Sequence, residues 1–173
     1  MKIKSFLVIV AIWCSGGCDR QSPQDASQGG KVVNTIYKIN DTVKFHDAEW
    51  VVLTVEDLGK TAGVDIFPNR QIVTEGRFIR VKYKFTNMSK SPASMMFKFP
   101  DIIDSNNRIF TYRPFSSSYI PANANALGGK DLQPNIPKEF YEFYEVASGA
   151  TGLKFRTSAI SSYDLKKLID LGL

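Results

Sequence analysis

Residues that ligate metals or act as strong nucleophiles are scarce in this chain of 173 residues, which has one histidine and two cysteines. Zinc sites usually need three or four such ligands, so the composition argues against one. Serine is common, but no serine lies in a G-x-S-x-G sequence. We therefore predict no enzymatic activity, no catalytic residue, no metal and no cofactor. An envelope hydrolase with an unusual site is the least favoured alternative.

Long hydrophobic runs are also missing, apart from Ser5–Trp13, which follows lysines at positions 2 and 4. This run is too short to span a bilayer comfortably. A basic start followed by a short apolar stretch is typical of a secretory signal. We predict a signal peptide over residues 1–17.

The next residues, Ser15-Gly16-Gly17-Cys18, resemble the lipobox of bacterial lipoproteins. In that class the cysteine is acylated, with chains such as palmitate, and becomes the first mature residue. Cys14 would leave with the signal, so Cys18 would have no partner for a disulfide or a thiolate metal site. The alternative is an uncleaved membrane anchor with two free thiols. Asp19 resembles the signal that retains Gram-negative lipoproteins in the inner membrane, facing the periplasm.

Residues 18–30 contain no large apolar side chain and are rich in Gln, Ser, Asp and Gly. Such a segment cannot bury enough surface to offset its ordering entropy. We predict a flexible tether that spans roughly 20 Å on average. Residues 31–173 then form one domain, of a length typical of a single hydrophobic core.

The charge is modest, because the net value of +5 falls to +3 when Lys2 and Lys4 leave with the signal. A value this small does not indicate nucleic-acid binding. The expected partners are the membrane, through the lipid on Cys18, and a protein of the cell envelope on the extracytoplasmic side.

Hydrophobic alternation predicts strands rather than helices. In residues 77–85, Ile79, Val81, Tyr83 and Phe85 alternate with cations, as in a half-buried strand. Further strands are predicted at 50–55 and 139–146, although the buried face of the latter is ambiguous. Shorter strands are predicted at 32–39, 42–46, 94–99, 108–112 and 152–157, separated by turn residues. Residues 163–173 fit a last strand better than an amphipathic helix, which stays open as an alternative. Many short strands without helices predict an all-β sandwich.

The order of these segments resembles the DUF4352 family, the immunoglobulin-like domain of bacterial lipoproteins. Asn87 ends a strand as the turn Asn of that family does. Residues 103–110, with Asn107 in place of a glycine, are similar to its hairpin, and "LQPNIPKE" at 132–139 is similar to its following turn. The resemblance implies an immunoglobulin-like antiparallel β-sandwich and carries little information on biochemical function.

Two groups of residues are candidates for partner binding. The cationic strand face, Arg80, Lys82 and Lys84, would meet anionic headgroups or an acidic partner, unless Glu139, Glu142 and Glu145 lie across from it and neutralise it. Residues 113–129 form a long segment without acidic residues that carries Phe115, Tyr119 and Ile120. Long loops with aromatic residues on a rigid scaffold often bind partners, but these rings could instead cover the core.

Other polar residues have plainer interpretations. His46, beside Asp47, is interpreted as a turn residue. Asp101, Asp104, Asn106 and Asn107 could be imagined around calcium, but they lack the spacing of a calcium loop, so a β-turn is favoured. A carrier of a small molecule or cell-wall fragment, in a cleft lined by Tyr141, Phe143 and Phe115, is the alternative to partner binding.

Lipidation gives the first prediction. Cys18→Ser removes the acylated thiol, so we expect loss of acyl labelling and of membrane fractionation. The measurement is metabolic labelling with a fatty acid, followed by membrane flotation. A Cys18→Ser protein that still floats with membranes as an unprocessed chain would make the apolar segment itself the anchor.

Overall fold

The computed structural model describes residues 35–62, 72–94, 100–113, 131–162 and 166–173. All regular structure in these ranges is β-structure, which confirms the predicted all-β class. None of the described residues belongs to a helix with the length and hydrophobicity needed to cross a bilayer. The strands are β1 (Ile36–Tyr37), β2 (Val43–Lys44), β3 (Ala48–Ala62), β4 (Ile72–Asn87), β5 (Ala93–Ser94), β6 (Asp101–Ile103), β7 (Ile109–Thr111), β8 (Asp131–Leu132), β9 (Lys138–Val146), β10 (Lys154–Ser158) and β11 (Lys166–Asp170).

These strands form two main sheets. The front sheet has the order β2-β3-β4-β9 and is antiparallel throughout. The back sheet has the order β1-β11-β10-β6-β7, in which only the β1–β11 pair is parallel. Strands β5 and β8 form a separate antiparallel pair. Buried side chains of both main sheets join one hydrophobic cluster, so the domain is an immunoglobulin-like β-sandwich, as predicted.

Strand β4 contains the predicted strand 77–85 and confirms its alternation. Its inward residues are fully buried, because they pack between the two sheets, and its outward residues are half-buried cations. The inward residues are Ile79, Val81, Tyr83 and Phe85, and the outward ones are Arg80, Lys82 and Lys84. The predicted strand 50–55 lies in β3, which pairs with β2 on one side and with β4 on the other.

Strand β9 confirms the predicted strand 139–146 and settles which face is buried. Its register places Phe140, Glu142 and Tyr144 opposite inward residues of β4. Opposed residues share a face, so Glu142 points into the core, where it is 2% exposed and accepts a hydrogen bond of 3.0 Å from the Tyr83 hydroxyl. The idea that Glu142 would face the cationic strand is therefore wrong.

Trp50 joins the two sheets. Its ring centroid lies 4.6 Å from that of Phe85 in the front sheet and 6.4 Å from that of Phe155 in the back sheet. Its indole N–H donates to the backbone oxygen of Ser158 at 2.9 Å. Trp50 thus fills the core and also satisfies its one polar atom across the sandwich.

The C-terminal segment is the strand β11, so the amphipathic-helix alternative is wrong. Strand β11 pairs antiparallel with β10 and parallel with β1. Hydrogen bonding on both edges, together with the complete burial of Ile169, favours the extended form over an isolated helix.

The shorter predicted strands are mostly present, in reduced form. Strands β1, β2, β7 and β10 lie within or overlap their predicted ranges, whereas of 94–99 only Ser94 is described, at the end of β5. The sequence did not predict β6 and β8, which have three and two residues. Segments this short carry too little periodicity to detect.

The assigned register gives the second prediction. Val81→Asp places a carboxylate at a position that is 0% exposed, and it should lower the free energy of unfolding by about 4 kcal/mol or more. Lys84→Ser, three positions further along β4 on the outer face, should change it little. Urea unfolding of both variants compares them, and equal stability would mean that the register is shifted.

Candidate functional site

The cationic strand face lies on the outer surface of the front sheet, as predicted, but most of its charge is paired. Arg80 forms an ion pair with Glu56, and the Lys82 ammonium lies 2.7 Å from a carboxylate oxygen of Glu139. The hydrogen bond to Glu139 raises the pKa of Lys82 above its usual value. Lys84 has no ion pair within the described residues. Of the three expected partners, only Glu139 neutralises this face directly.

The charged side chains near the C-terminal end of β9 are also paired. Glu145 accepts from the Arg113 guanidinium and from the Thr74 hydroxyl, and Arg77 pairs with Asp57 on β3. The outer face therefore presents a lattice of pairs rather than a cationic patch. Such surface pairs contribute little to stability and attract anions weakly.

Buried Glu142 acts on the tyrosines around it. Burial raises the pKa of the Tyr83 hydroxyl well above its ordinary value of 10.0, and the neighbouring Glu142 carboxyl raises it further. Tyr112, at the end of β7, has its pKa raised by burial first and by Glu142 second. The hydroxyls of Tyr83 and Tyr112 are therefore neutral at physiological pH, and that of Tyr83 donates to Glu142.

Residues 114–130 lie outside the described residues, so the positions of Phe115, Tyr119 and Ile120 are a prediction still. The two flanks of this segment are described. On one side, the Arg113 N–H donates to the backbone oxygen of Phe143 at 2.8 Å. On the other side, the backbone oxygen of Leu132 accepts from the Asn87 side-chain amide at 2.8 Å. Both ends of the segment are therefore fixed to the front sheet.

Tyr141 and Phe143, the other residues proposed for a carrier cleft, share the outer face of β9. Tyr141 is half-buried beneath the Lys82 ammonium, which lies 5.5 Å from its ring centroid. Phe143 is only 5% exposed although it faces outward. Its ring does not line an open cleft.

The structure brings Ser161 to His46, which the sequence did not predict. The Ser161 hydroxyl lies 2.7 Å from His46 Nε2, and an oxygen of Asp47 lies 3.2 Å from the same nitrogen. Asp47 is buried, and its two carboxylate oxygens accept from the backbone N–H groups of Ile160 at 2.9 Å and Ser161 at 2.7 Å.

This cluster has the residue types of a catalytic triad but not its geometry. In a triad the carboxylate orients the histidine through Nδ1, leaving Nε2 to the serine. Here Asp47 and Ser161 share Nε2. The two backbone N–H groups beside the serine, which could otherwise stabilise an oxyanion, are both occupied by Asp47. The arrangement ties the β2–β3 turn to the segment after β10.

Four connections meet at this end of the sandwich, which we call the loop end: residues 45–47, 88–92, 133–137 and 159–162. The Asp47 carboxylate joins its own connection, 45–47, to residues 159–162, and the Asp47 backbone oxygen accepts from the Met88 N–H at 2.9 Å. Asn87 holds the next pair, because its backbone oxygen accepts from the Asn135 N–H at 2.7 Å and its side chain bonds to Leu132 and Ser91. The loop end is a fixed polar framework.

Two large apolar side chains are exposed on this framework. Met88 is 43% exposed and Ile136 is 51% exposed. Each follows one member of the bonded pair Asn87 and Asn135, so the two occupy neighbouring positions. Sequence analysis identified Asn87 as a turn residue but missed the loop end, since long-range hydrogen bonds assemble it.

The proposed calcium ligands are engaged elsewhere, in agreement with the favoured β-turn. Asp104 accepts from the N–H groups of Asn106 and Arg108 and from the Arg108 guanidinium, and Asn107 has a left-handed φ of 60°. Asp101 forms a two-bonded pair with Arg156. Within the described ranges, no group of three His, Cys, Asp or Glu residues could hold a metal ion. Cys18 lies outside the described residues.

No protein-family model matches the chain, and no curated protein matches its sequence. Solved structures are similar in fold. The yjhA protein of Bacillus subtilis is 17% identical with a TM-score of 0.58, over 78% of this chain and 99% of that one. The secreted protein MPT63 of Mycobacterium tuberculosis is 8% identical with a TM-score of 0.53, over 80% and 96%. An uncharacterised β-sandwich protein of Clostridium difficile is 6% identical with a TM-score of 0.52, over 80% and 95%. The chain therefore shares the β-sandwich fold of these proteins.

Asp47 gives the third prediction. Burial alone would raise the pKa of its carboxyl, but hydrogen bonds from the Ser161 hydroxyl and two backbone N–H groups outweigh burial and hold the pKa below 3.8. The ionised form therefore stabilises the fold above about pH 4, and this contribution is lost as the pH falls through the folded-state pKa. Asp47→Asn would turn an amide N–H toward a backbone donor and should cost about 1 to 3 kcal/mol at pH 7.

The difference in the free energy of unfolding between Asp47→Asn and the unaltered protein should become smaller below about pH 4. The measurement is the free energy of unfolding in urea across pH 3 to 7. The exposed Asp131→Asn is the control and should show no such gap. A gap that is constant down to pH 3 would contradict the assigned role of the carboxylate.

Proposed function

We propose that this chain is an extracytoplasmic lipoprotein of the bacterial cell envelope, anchored through Cys18, whose β-sandwich domain binds a partner protein and is not an enzyme. The apolar run Ser5–Trp13 and the small residues before Cys18 support the anchor. A shared fold with a protein described as secreted is compatible with an extracytoplasmic location. Membership of the DUF4352 family and inner-membrane retention through Asp19 belong to the same proposal.

The observation that carries partner binding is that the described residues on either side of 114–130 are both bonded to the front sheet. Arg113 bonds to β9 through its N–H and pairs with Glu145 through its side chain. Leu132, beyond the other flank, is held by Asn87. A long segment with aromatic residues, attached at both ends to a rigid sheet, loses less entropy on binding than a free one. Binding loops of immunoglobulin-like domains are built in this way.

We propose the absence of enzymatic activity from the geometry of His46, Asp47 and Ser161, the described cluster whose residue types match a catalytic triad. In it, Asp47 occupies the two backbone N–H groups and shares Nε2 of His46 with Ser161. Ser161 therefore has no histidine free to accept its proton in the orientation that acyl transfer requires.

Replacement of Phe115 and Tyr119 by Ser tests partner binding and is the fourth prediction. If these aromatic residues anchor the partner, the double variant should lose most capture, because a few aromatic residues commonly dominate binding energy. Its melting temperature should stay nearly unchanged. The measurement is a crosslinked pull-down of the lipidated protein from its own membranes, with a melting curve on the same sample.

Ile36→Ser is the matched control, since Ile36 is an apolar side chain that is 49% exposed on β1, at the edge of the back sheet opposite to β7, the strand that leads to Arg113. It should capture as much partner as the unaltered protein. A double variant that melts several degrees lower but still captures the partner would show that the rings cover the core. The partner would then bind elsewhere, and the cationic strand face of Arg80, Lys82 and Lys84 would be the next surface to substitute.

A further inference from the structure

The loop end is also the end at which the polypeptide enters the domain. The first described strand, β1, pairs in parallel with β11, with Ile36 opposite Leu168. Strand β11 begins at Lys166, opposite Ser158, the last residue of β10. Residues 159–162 of the loop end follow directly, so Ile36 lies about 7 Å along the sheet from the loop end. The first described residue, Thr35, therefore lies on this side of the domain.

Two lysines are exposed at the loop end, one of which also lies close to a carboxylate. Lys44 has a side chain that is 74% exposed, and Lys90 is exposed on the connection that carries Met88. Of the nearby carboxylates, Asp47 is buried, Glu49 lies 3.8 Å from Lys44, and Glu139 pairs with Lys82. The remaining one, Asp131, is exposed. Two apolar side chains beside lysines match the chemistry of an interfacial membrane contact.

We propose that the loop end rests on the surface of the membrane that holds the acylated Cys18. Met88 and Ile136 enter the headgroup layer, and Lys44 and Lys90 lie against anionic headgroups. This inference depends on the lipid anchor of the proposed function, and it adds an orientation that the anchor alone does not supply.

Because the anchor keeps the domain near the membrane, even a weak contact of the loop end is sufficient for docking. The tether that the sequence predicts for residues 18–30, roughly 20 Å long on average, would hold the domain at an effective concentration in the millimolar range. Two apolar side chains with a few lysines give only marginal affinity for a bilayer in free solution. At millimolar effective concentration such a contact is occupied for a large share of the time.

Docking also fixes which parts of the domain face away from the membrane. Strand β9 ends at Val146, opposite Arg77, while β3 and β4 continue as a two-stranded arm to Ala62 and Ile72. This arm extends from the end of the front sheet opposite to the loop end. It therefore points away from the bilayer, and exposed Val73 lies on it.

The test places a spin label at Met88→Cys or, as the matched control, at Val73→Cys, in the full lipidated protein. Cys18 is blocked by its acyl chains and Cys14 is removed with the signal, so each variant has one reactive thiol. The protein is reconstituted in phosphatidylethanolamine vesicles that contain phosphatidylglycerol. Collision rates of the label with oxygen and with a water-soluble nickel complex report its depth.

We expect the label at position 88 to gain oxygen collisions and lose nickel collisions on reconstitution, which places it about 5 to 10 Å into the boundary between headgroups and acyl chains. The label at position 73 should keep its solution values. Vesicles without phosphatidylglycerol should reduce the change at position 88, since the lysines then lose their anionic partners.

Three results would overturn the inference. If the protein floats with the vesicles but both labels keep the collision rates that they have in solution, the anchor stands and the docking is refuted. A change at position 88 only after an envelope protein is added would assign the loop end to that protein. Protein that is not acylated or does not float with vesicles would refute the anchor itself, and the docking with it.

Discussion

The sandwich depends on the contact that Trp50 makes across it. Apolar packing between sheets is non-directional, so aromatic rings alone would allow the sheets to slide relative to each other. The indole N–H of Trp50 bonds to the backbone of Ser158, and this directional bond, together with those from Ile160 and Ser161 to Asp47, sets the position of β10 against β3. Phe155, three residues before Ser158, then packs against Tyr83 and Tyr144 of the front sheet. A polar bond inside an aromatic core thus selects one packing among several of similar burial.

The same logic operates at the loop end with carboxylate and amide groups. Asp47 and Asn87 are buried polar residues whose partners are mostly backbone groups of distant connections. Each makes hydrogen bonds to backbone groups at the ends of the strands that would otherwise need water as a partner. Hydrogen bonds consequently hold these connections in place, and an apolar side chain such as Met88 stays exposed on them.

Sequence predicted the parts of this protein that depend on local pattern. The alternation through Val81 identified β4 and its buried face, whereas the signal before Cys18 stays a prediction, because those residues lie outside the described ones. Strand β9 was harder, because Phe143 and Tyr144 are both apolar and Glu142 points inward, so neither face has a clear polar signature. The ion pairs of Arg80 and Lys82, and the meeting of His46 with Ser161, depend on register between distant strands. No local pattern encodes such contacts, which is why the paired state of the cationic face and the loop end emerged only from the structure.

The parallel pairing of β1 with β11 has a consequence for biosynthesis. Ile36 is made long before Leu168, its partner, so the edge of the back sheet cannot close until the last described strand has emerged. Until β11 has been made, Ile36 and Tyr37 lack the strand with which they pair. Pairing of β1 is therefore a late step of folding, after β11 has joined β10.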